Sequence, residues 1–174
     1  MSSIPVEDIL TAAENGDVAQ LSALIAANAD VNVWDERSYR PLHLAAQNGH
    51  DGAVQVLLDT KADVDVQEND RWTPLFMATQ NGHNGVVQML INAQATVDVE
   101  EIDGFTPLFM ATQNGHDGTV QLLIQAKANV HVKNDEGFTP LHIAAQYDHD
   151  GTVQVLIDAK ADVDVKDDDD LTSL

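Results

Sequence analysis

Seven histidines are the residues of this chain best equipped for chemistry. Four of them, His50, His83, His116 and His149, stand 33 residues apart. An imidazole titrates near neutral pH, carries protons and ligates zinc, so a recurring set invites a metal centre or an acid–base site. The spacing argues against both. A step of that length puts each ring on its own structural layer. Packed helical layers lie about 10 Å apart, whereas the ligands of one zinc ion must each come to about 2 Å. The expectation is that these rings hydrogen-bond the backbone where a helix ends. Other chemistry is poorly supplied. The absence of cysteine excludes a thiolate nucleophile, a disulfide framework and a Cys-ligated zinc site, and fits a reducing compartment. Of five serines, Ser2, Ser3, Ser22 and Ser173 fall toward the two ends, and Ser38 has no sequence sign of an activating partner. The run Asp167 to Asp170, preceded by Asp162 and Asp164, has the charge for a hard cation. A calcium loop begun at Asp162 needs glycine sixth, however, and Asp167 stands there, so a solvated acidic turn is expected. No catalytic residue, metal site or cofactor is assigned.

What must position these side chains is a repeat. Pro41, Pro74, Pro107 and Pro140 keep the 33-residue step, as do Gly16, Gly49, Gly82 and Gly115, and TPLFMATQNGH occurs unchanged at Thr73 to His83 and Thr106 to His116. Cut in register, the chain gives units 2–34, 35–67, 68–100, 101–133 and 134–166, and 167–174 begins another. Within a unit, Thr73-Pro74 offers an N-cap oxygen and a proline at the first helical position, where its missing N–H costs nothing. Leu75, Met77 and Ala78 then put apolar groups on one face until Asn81-Gly82, whose glycine can take the left-handed conformation that ends a helix. A second helix is predicted over Gly85 to Asn92, with Val86, Val87, Met89, Leu90 and Ile91 facing inward. A polar turn leads to the next unit. The first unit has Asp8 in the proline's place and acids in its first turn, which suits a helix dipole and an N-terminal cap. The fifth has Tyr147-Asp148 instead of Asn-Gly, and no full polar cap follows it.

In that register DGFTPLFMATQNGHDGTVQLLIQAKANVHV, from Asp103 to Val132, resembles an ankyrin repeat in its turn, TPLH-like helix start, Gly-His corner and leucine-rich second helix. The resemblance covers nearly the whole chain. It implies an all-α fold, one domain over 1–174, with helical hairpins stacked in a solenoid and β-turn fingers projecting from it. It further implies that His43 and His142 are structural, and that Trp34 and Tyr147 face the concave surface. After the second helix, where the family usually has glycine, stand Asn28, Lys61, Gln94, Lys127 and Lys160. A left-handed non-glycine residue costs about 1 kcal/mol, less for Asn, so a moderately stable solenoid is expected.

The same resemblance implies a protein-binding module without chemistry of its own. Tyr39, Trp72, Phe105 and Phe138 keep the 33-residue step two residues before each helix-start proline, a column that Leu171 continues. Such rings either pack between fingers or present an edge to a partner. Beside them the fingers differ: Glu36-Arg37, Asn69-Asp70, Ile102-Asp103 and Asp135-Glu136. The expected binding residues are Trp34, Glu36, Arg37, Tyr39, Asp70, Trp72, Ile102, Asp103, Phe105, Asp135, Phe138 and Tyr147. With 29 Asp plus Glu against 8 Lys plus Arg, the net charge of −21 disfavours nucleic acid and anionic membranes and favours a partner protein with a basic surface. Hydrophobic residues, at 44%, are too many for a disordered acidic chain. Neither a signal segment nor an 18-residue apolar run is evident, so a cytoplasmic protein is expected, or one delivered to a host cytoplasm if it is an effector. The chain could also be the ankyrin part of a larger multidomain or bacterial effector protein, or an engineered scaffold. The last repeat offers a route to weak self-association.

Overall fold

The repeated proline decides where helices begin. In the computed structural model, which describes residues 5–166 and Thr172, ten helices run in pairs and no strand occurs among the described residues. They are α1 (Val6–Glu14) and α2 (Val18–Ala26), α3 (Pro41–Gln47) and α4 (Asp51–Asp59), α5 (Pro74–Gln80) and α6 (Asn84–Asn92), α7 (Pro107–Gln113) and α8 (Asp117–Gln125), and α9 (Pro140–Gln146) and α10 (Asp150–Asp158). The acidic run Asp167–Asp170, Leu171, Ser2, Ser3 and Ser173 lie outside the described residues. Each of α3, α5, α7 and α9 starts on its proline. The hydroxyls of Thr73, Thr106 and Thr139 accept from the backbone N–H three residues on, which satisfies one of the orphan donors of a helix start. In α3 the cap is Arg40, which makes no such bond; its own N–H donates to His43 Nδ1 instead, at 3.1 Å.

Both helices of a pair end on a left-handed residue. Gly16, Gly49, Gly82 and Gly115 have φ between 65° and 70°, and Asp148 takes the same role at 56°. The five non-glycine residues after the second helices, Asn28, Lys61, Gln94, Lys127 and Lys160, are left-handed too, at 65° to 69°. The glycines serve a second purpose. A Cβ on Gly16 or Gly49 would lie 2.6 Å from the ring of His50 or His83, so the corner has room for the imidazole only if the side chain opposite is absent.

The chain divides into two compact units, residues 1–95 and 96–174. In the first, α1, α3 and α5 pack in one row and α2, α4 and α6 in another, with each pair also packed together. In the second, α7 packs on α9 and α8 on α10 in the same way. Burial is wider in the first helices and narrower in the second than the sequence pattern suggests. Leu75, Phe76, Met77, Ala78 and Thr79 of α5 are all buried, with α3 and α6 packed against the helix. In α6, Val86, Val87 and Leu90 are buried while Met89 and Ile91, roughly 100° to either side of that stripe, are only half-buried. Small residues such as Ala45, Ala46 and Ala78 line the first-helix row and let these helices approach closely. No helix among the described residues is long and apolar enough to cross a membrane.

Candidate recognition surface

Each finger is framed by the same three interactions. In the first, Asp35 N–H donates to Tyr39 O and Ser38 N–H to Asp35 O, both at 3.0 Å, which closes a three-residue hairpin loop. The pattern repeats for Glu68 and Trp72, Glu101 and Phe105, and Asn134 and Phe138. This loop class needs a left-handed residue at its last position. Gly104 and Gly137 supply it at φ 79° and 80°, while Ser38 and Arg71 adopt it without glycine's freedom at 65° and 67°. The third interaction comes from a side chain. One oxygen of Asp35, Glu68, Glu101 or Asn134 accepts the N–H groups two and four residues on, at 2.8 to 3.2 Å. The carboxylates of Glu68 and Glu101 are buried in doing so. Sequence reasoning passed over these acceptors, although their 33-residue step was there to be read.

The frame is held from within and makes no use of the tip side chains. Glu36-Arg37, Asn69-Asp70, Ile102-Asp103 and Asp135-Glu136 are all exposed, and Ile102 has 62% of its surface open. The column aromatics are half-buried, and each leans on the residue four further along, at the start of its own helix. Centroid distances are 5.8 Å for Tyr39 and His43, 5.0 Å for Trp72 and Phe76, 5.7 Å for Phe105 and Phe109, and 5.9 Å for Phe138 and His142. Such pairs prefer tilted or edge contacts, as seen here, and leave part of each ring to solvent. Burial, and then the Glu68 carboxylate, raise the Tyr39 phenol above its ordinary 10.0. Trp34 is 60% exposed, with the Arg40 guanidinium 5.1 Å from its ring centre. Tyr147 is 48% exposed; its hydroxyl accepts from Gln113 Nε2 at 3.3 Å and its ring stacks on His149. Asn48, Asn81 and Asn114, which hold the equivalent place, instead donate to the carbonyl four residues back.

His43, His50, His83 and His149 are committed to the backbone. His50, His83 and His149 donate through Nε2 to the carbonyls of Glu14, Gln47 and Gln113, 36 residues upstream, at 2.9 to 3.0 Å, and so tie these three repeats to the ones before them. His43 is buried; its Nδ1 accepts from Arg40 N–H, so Nε2 carries the proton and faces Val66 O and Trp72 O, both at 3.1 Å. Burial lowers its pKa from 6.5 to about 4. No three His, Asp or Glu side chains among the described residues are grouped to hold a metal ion.

The expected site residues are distributed by unit. In the first, Trp34, Glu36 and Arg37 line one cleft of about 710 Å³ with Val6, Glu7, Leu10 and Asp35, and Arg37 and Tyr39 reach an adjoining one of about 380 Å³; Asp70 and Trp72 belong to the next finger. Ile102, Asp103, Phe105, Asp135, Phe138 and Tyr147 belong to the second unit. Sequence reasoning missed Val6, which falls 33 residues before Tyr39 and holds the column's position in the first repeat.

Paired short helices, backbone-tied corners and loops that hold their tips open define a repeat scaffold whose variable surface is displayed on a constant frame. The chain matches a family model described as ankyrin repeats in three copies over residues 9–101 and again over 94–167, and it belongs to the ankyrin repeat family. Ankyrin repeats generally serve as protein–protein interaction modules and are typically without enzymatic activity. A comparison with curated proteins finds no significant match.

Proposed function

We propose that this chain is a non-enzymatic protein-binding module that recognises its partner with its finger tips and the adjoining surface of its first helices, on the concave side of one repeat domain spanning 1–174. The observation that carries this reading is the division of labour within each finger. The frame is the same four times over, whereas the two tip residues change from Glu-Arg to Asn-Asp, Ile-Asp and Asp-Glu while remaining exposed. A spacer has no use for that variation. Trp34, Ile102 and Tyr147 and the open edges of Tyr39, Trp72, Phe105 and Phe138 are the apolar contacts. Glu36, Arg37, Asp70, Asp103 and Asp135 are the polar ones. The net charge of −21 favours a partner with a basic surface and disfavours nucleic acid and anionic membrane. A cytoplasmic setting accords with the lack of cysteine. Self-association through the last repeat has less support, since among the described residues its one exposed large apolar side chain is Tyr147, which is bonded to Gln113 and stacked on His149.

Selection of a displayed library of protein fragments against the folded protein tests this reading. Recovered ligands should be basic with large apolar residues, and they should bind less well to Ile102→Ser and Trp72→Ala variants that remain folded. Recovery of no saturable ligand, or of ligands indifferent to every tip and column substitution, would overturn it.

A further inference from the structure

The near-identity of the repeats makes their departures conspicuous, and three of them meet at the first finger. Trp34 stands where the later units have Gln67, Glu100, Lys133 and Lys166; Arg37 stands where they have Asp70, Asp103 and Glu136; Arg40 stands where they have Thr73, Thr106 and Thr139. Two of these touch. The Arg40 guanidinium sits over the Trp34 ring and is tied by Nη1 to the Asn32 carbonyl. One indole face is thus held in place by a cation on a fixed stem, at the expense of a threonine cap, while 60% of the side chain stays open to solvent. Beside it Val6, 40% exposed, widens the apolar floor.

From that floor the two adjoining clefts run along α1. Glu7, Leu10, Thr11 and Glu14 line them at intervals of three and four residues, so they form one stripe on that helix. Its two carboxylates are separated by about 10 Å of helix axis, the reach of about three residues of extended chain. Asp35 and Glu36 close the side nearest the finger, and Arg37 is the one cation that lines either cleft. Asp35 is occupied by the finger's own amides, which leaves Glu7, Glu14 and Glu36 to face an incoming charge.

We propose that this groove is the primary anchor of the module, and that it takes an extended basic segment of a partner protein: one large apolar side chain against Trp34 and Val6, and two Lys or Arg about three residues apart facing Glu7 and Glu14. The proposal rests on the reading of the chain as a protein-binding module. Charge complementarity selects the occupant, because three available carboxylates outweigh Arg37 locally and the whole chain is strongly acidic. The held indole adds preorganisation, since little side-chain freedom remains to be lost on binding.

The probe is a fluorescein-labelled peptide, Gly-Leu-Ser-Lys-Ser-Ser-Lys-Gly, titrated with the full chain by anisotropy. A version with Glu for both Lys serves as its control. Saturable binding of the lysine peptide alone is expected. Trp34→Ser and the double variant Glu7→Gln/Glu14→Gln should each weaken it by about tenfold or more, and Asp158→Asn, at the exposed end of α10 in the other unit, should leave it unchanged. In a Trp72→Phe background, the remaining indole should change its emission as the peptide saturates. Should Trp34→Ser melt early, Trp34→Phe keeps a ring in place and is expected to retain binding. Equal affinity across these variants, no saturable binding of the lysine peptide, or a dimer that Trp34→Ser dissolves, marking a second copy as the occupant, would each overturn the proposal. The library selection separates this outcome from failure of the module reading. Ligands recovered there that ignore Trp34→Ser and Glu7→Gln/Glu14→Gln but respond to Ile102→Ser leave the module standing and remove only this anchor.

Discussion

Replacing His43 with phenylalanine should remove a defined part of the protein's sensitivity to acid. The folded ring has a pKa of about 4 against an ordinary 6.5, because it is buried and its protonated form is poorly solvated. Between those values the unfolded chain binds a proton that the folded chain does not, so stability attributable to this group is intact above pH 6.5 and falls as the pH drops toward 4. Going from about pH 7.5 to about pH 5 should cost about 2 kcal/mol through His43 alone. Phenylalanine is the right replacement because Phe76 and Phe109 occupy the equivalent place and are buried. Urea unfolding of both proteins at both pH values gives the readout. Every other titrating group contributes nearly equally to the two proteins, so the difference between their losses isolates His43. Absolute stability at neutral pH is not the test, since the variant also gives up the N–H facing Val66 O and Trp72 O. Because repeat arrays need not unfold in one step, His43 should also be followed directly by NMR. Equal losses for the two proteins, or a His43 resonance that titrates near 6.5, would refute the reasoning.

Three further outcomes are expected. Glu101→Ala leaves the N–H groups of Asp103 and Phe105 without their acceptor, and should cost about 1–3 kcal/mol with faster hydrogen exchange at those two amides. Lys127→Gly, at φ 68°, should stabilise by up to about 1 kcal/mol by relieving a left-handed side chain, seen as a higher thermal midpoint. Gly115→Ala should cost more than that conformational penalty, since its Cβ would fall 2.8 Å from the His149 ring, and the His149 resonance should move as the contact to Gln113 O is disturbed.

The helices were legible because they are written in residues with one physical use. Proline at a helix start, glycine at a corner and apolar residues at helical spacing mean the same thing in every repeat, so counting by 33 recovers α3 to α10 closely. The left-handed sites after the second helices were legible for the same reason. Those at Ser38 and Arg71 were not, because nothing but the alignment with Gly104 and Gly137 marks them. The finger acceptors were hidden by their chemistry. Asp35, Glu68, Glu101 and Asn134 share an oxygen but not a charge or a length, so they read as part of the variable acidic surface when they are its internal support. The groove along α1 was hidden differently. Its residues come from a first repeat that has lost the proline, and Val6 resembles a column aromatic in position but not in type.

That concealed support has a consequence for how the surface can change. In fingers two to four, the loop is held by an acceptor, a left-handed residue and two backbone bonds, none of which involves the side chains of the tip. Tip substitutions there should alter binding with little effect on stability, as surface changes away from buried features generally do. The first finger couples the two. Trp34 and Arg40 hold each other, Arg40 has displaced the threonine cap, and Ser38 Oγ donates to Asn69 on the neighbouring tip at 2.9 Å. A change at Arg40 therefore acts on the binding surface, the start of α3 and the geometry around Asn32 together. Arg40→Thr restores the cap used by the other repeats and releases the indole, so it should raise the stability of α3 while weakening the lysine peptide. Opposite signs in the two measurements, made on one variant, are what distinguish a residue kept for recognition from one kept for the fold.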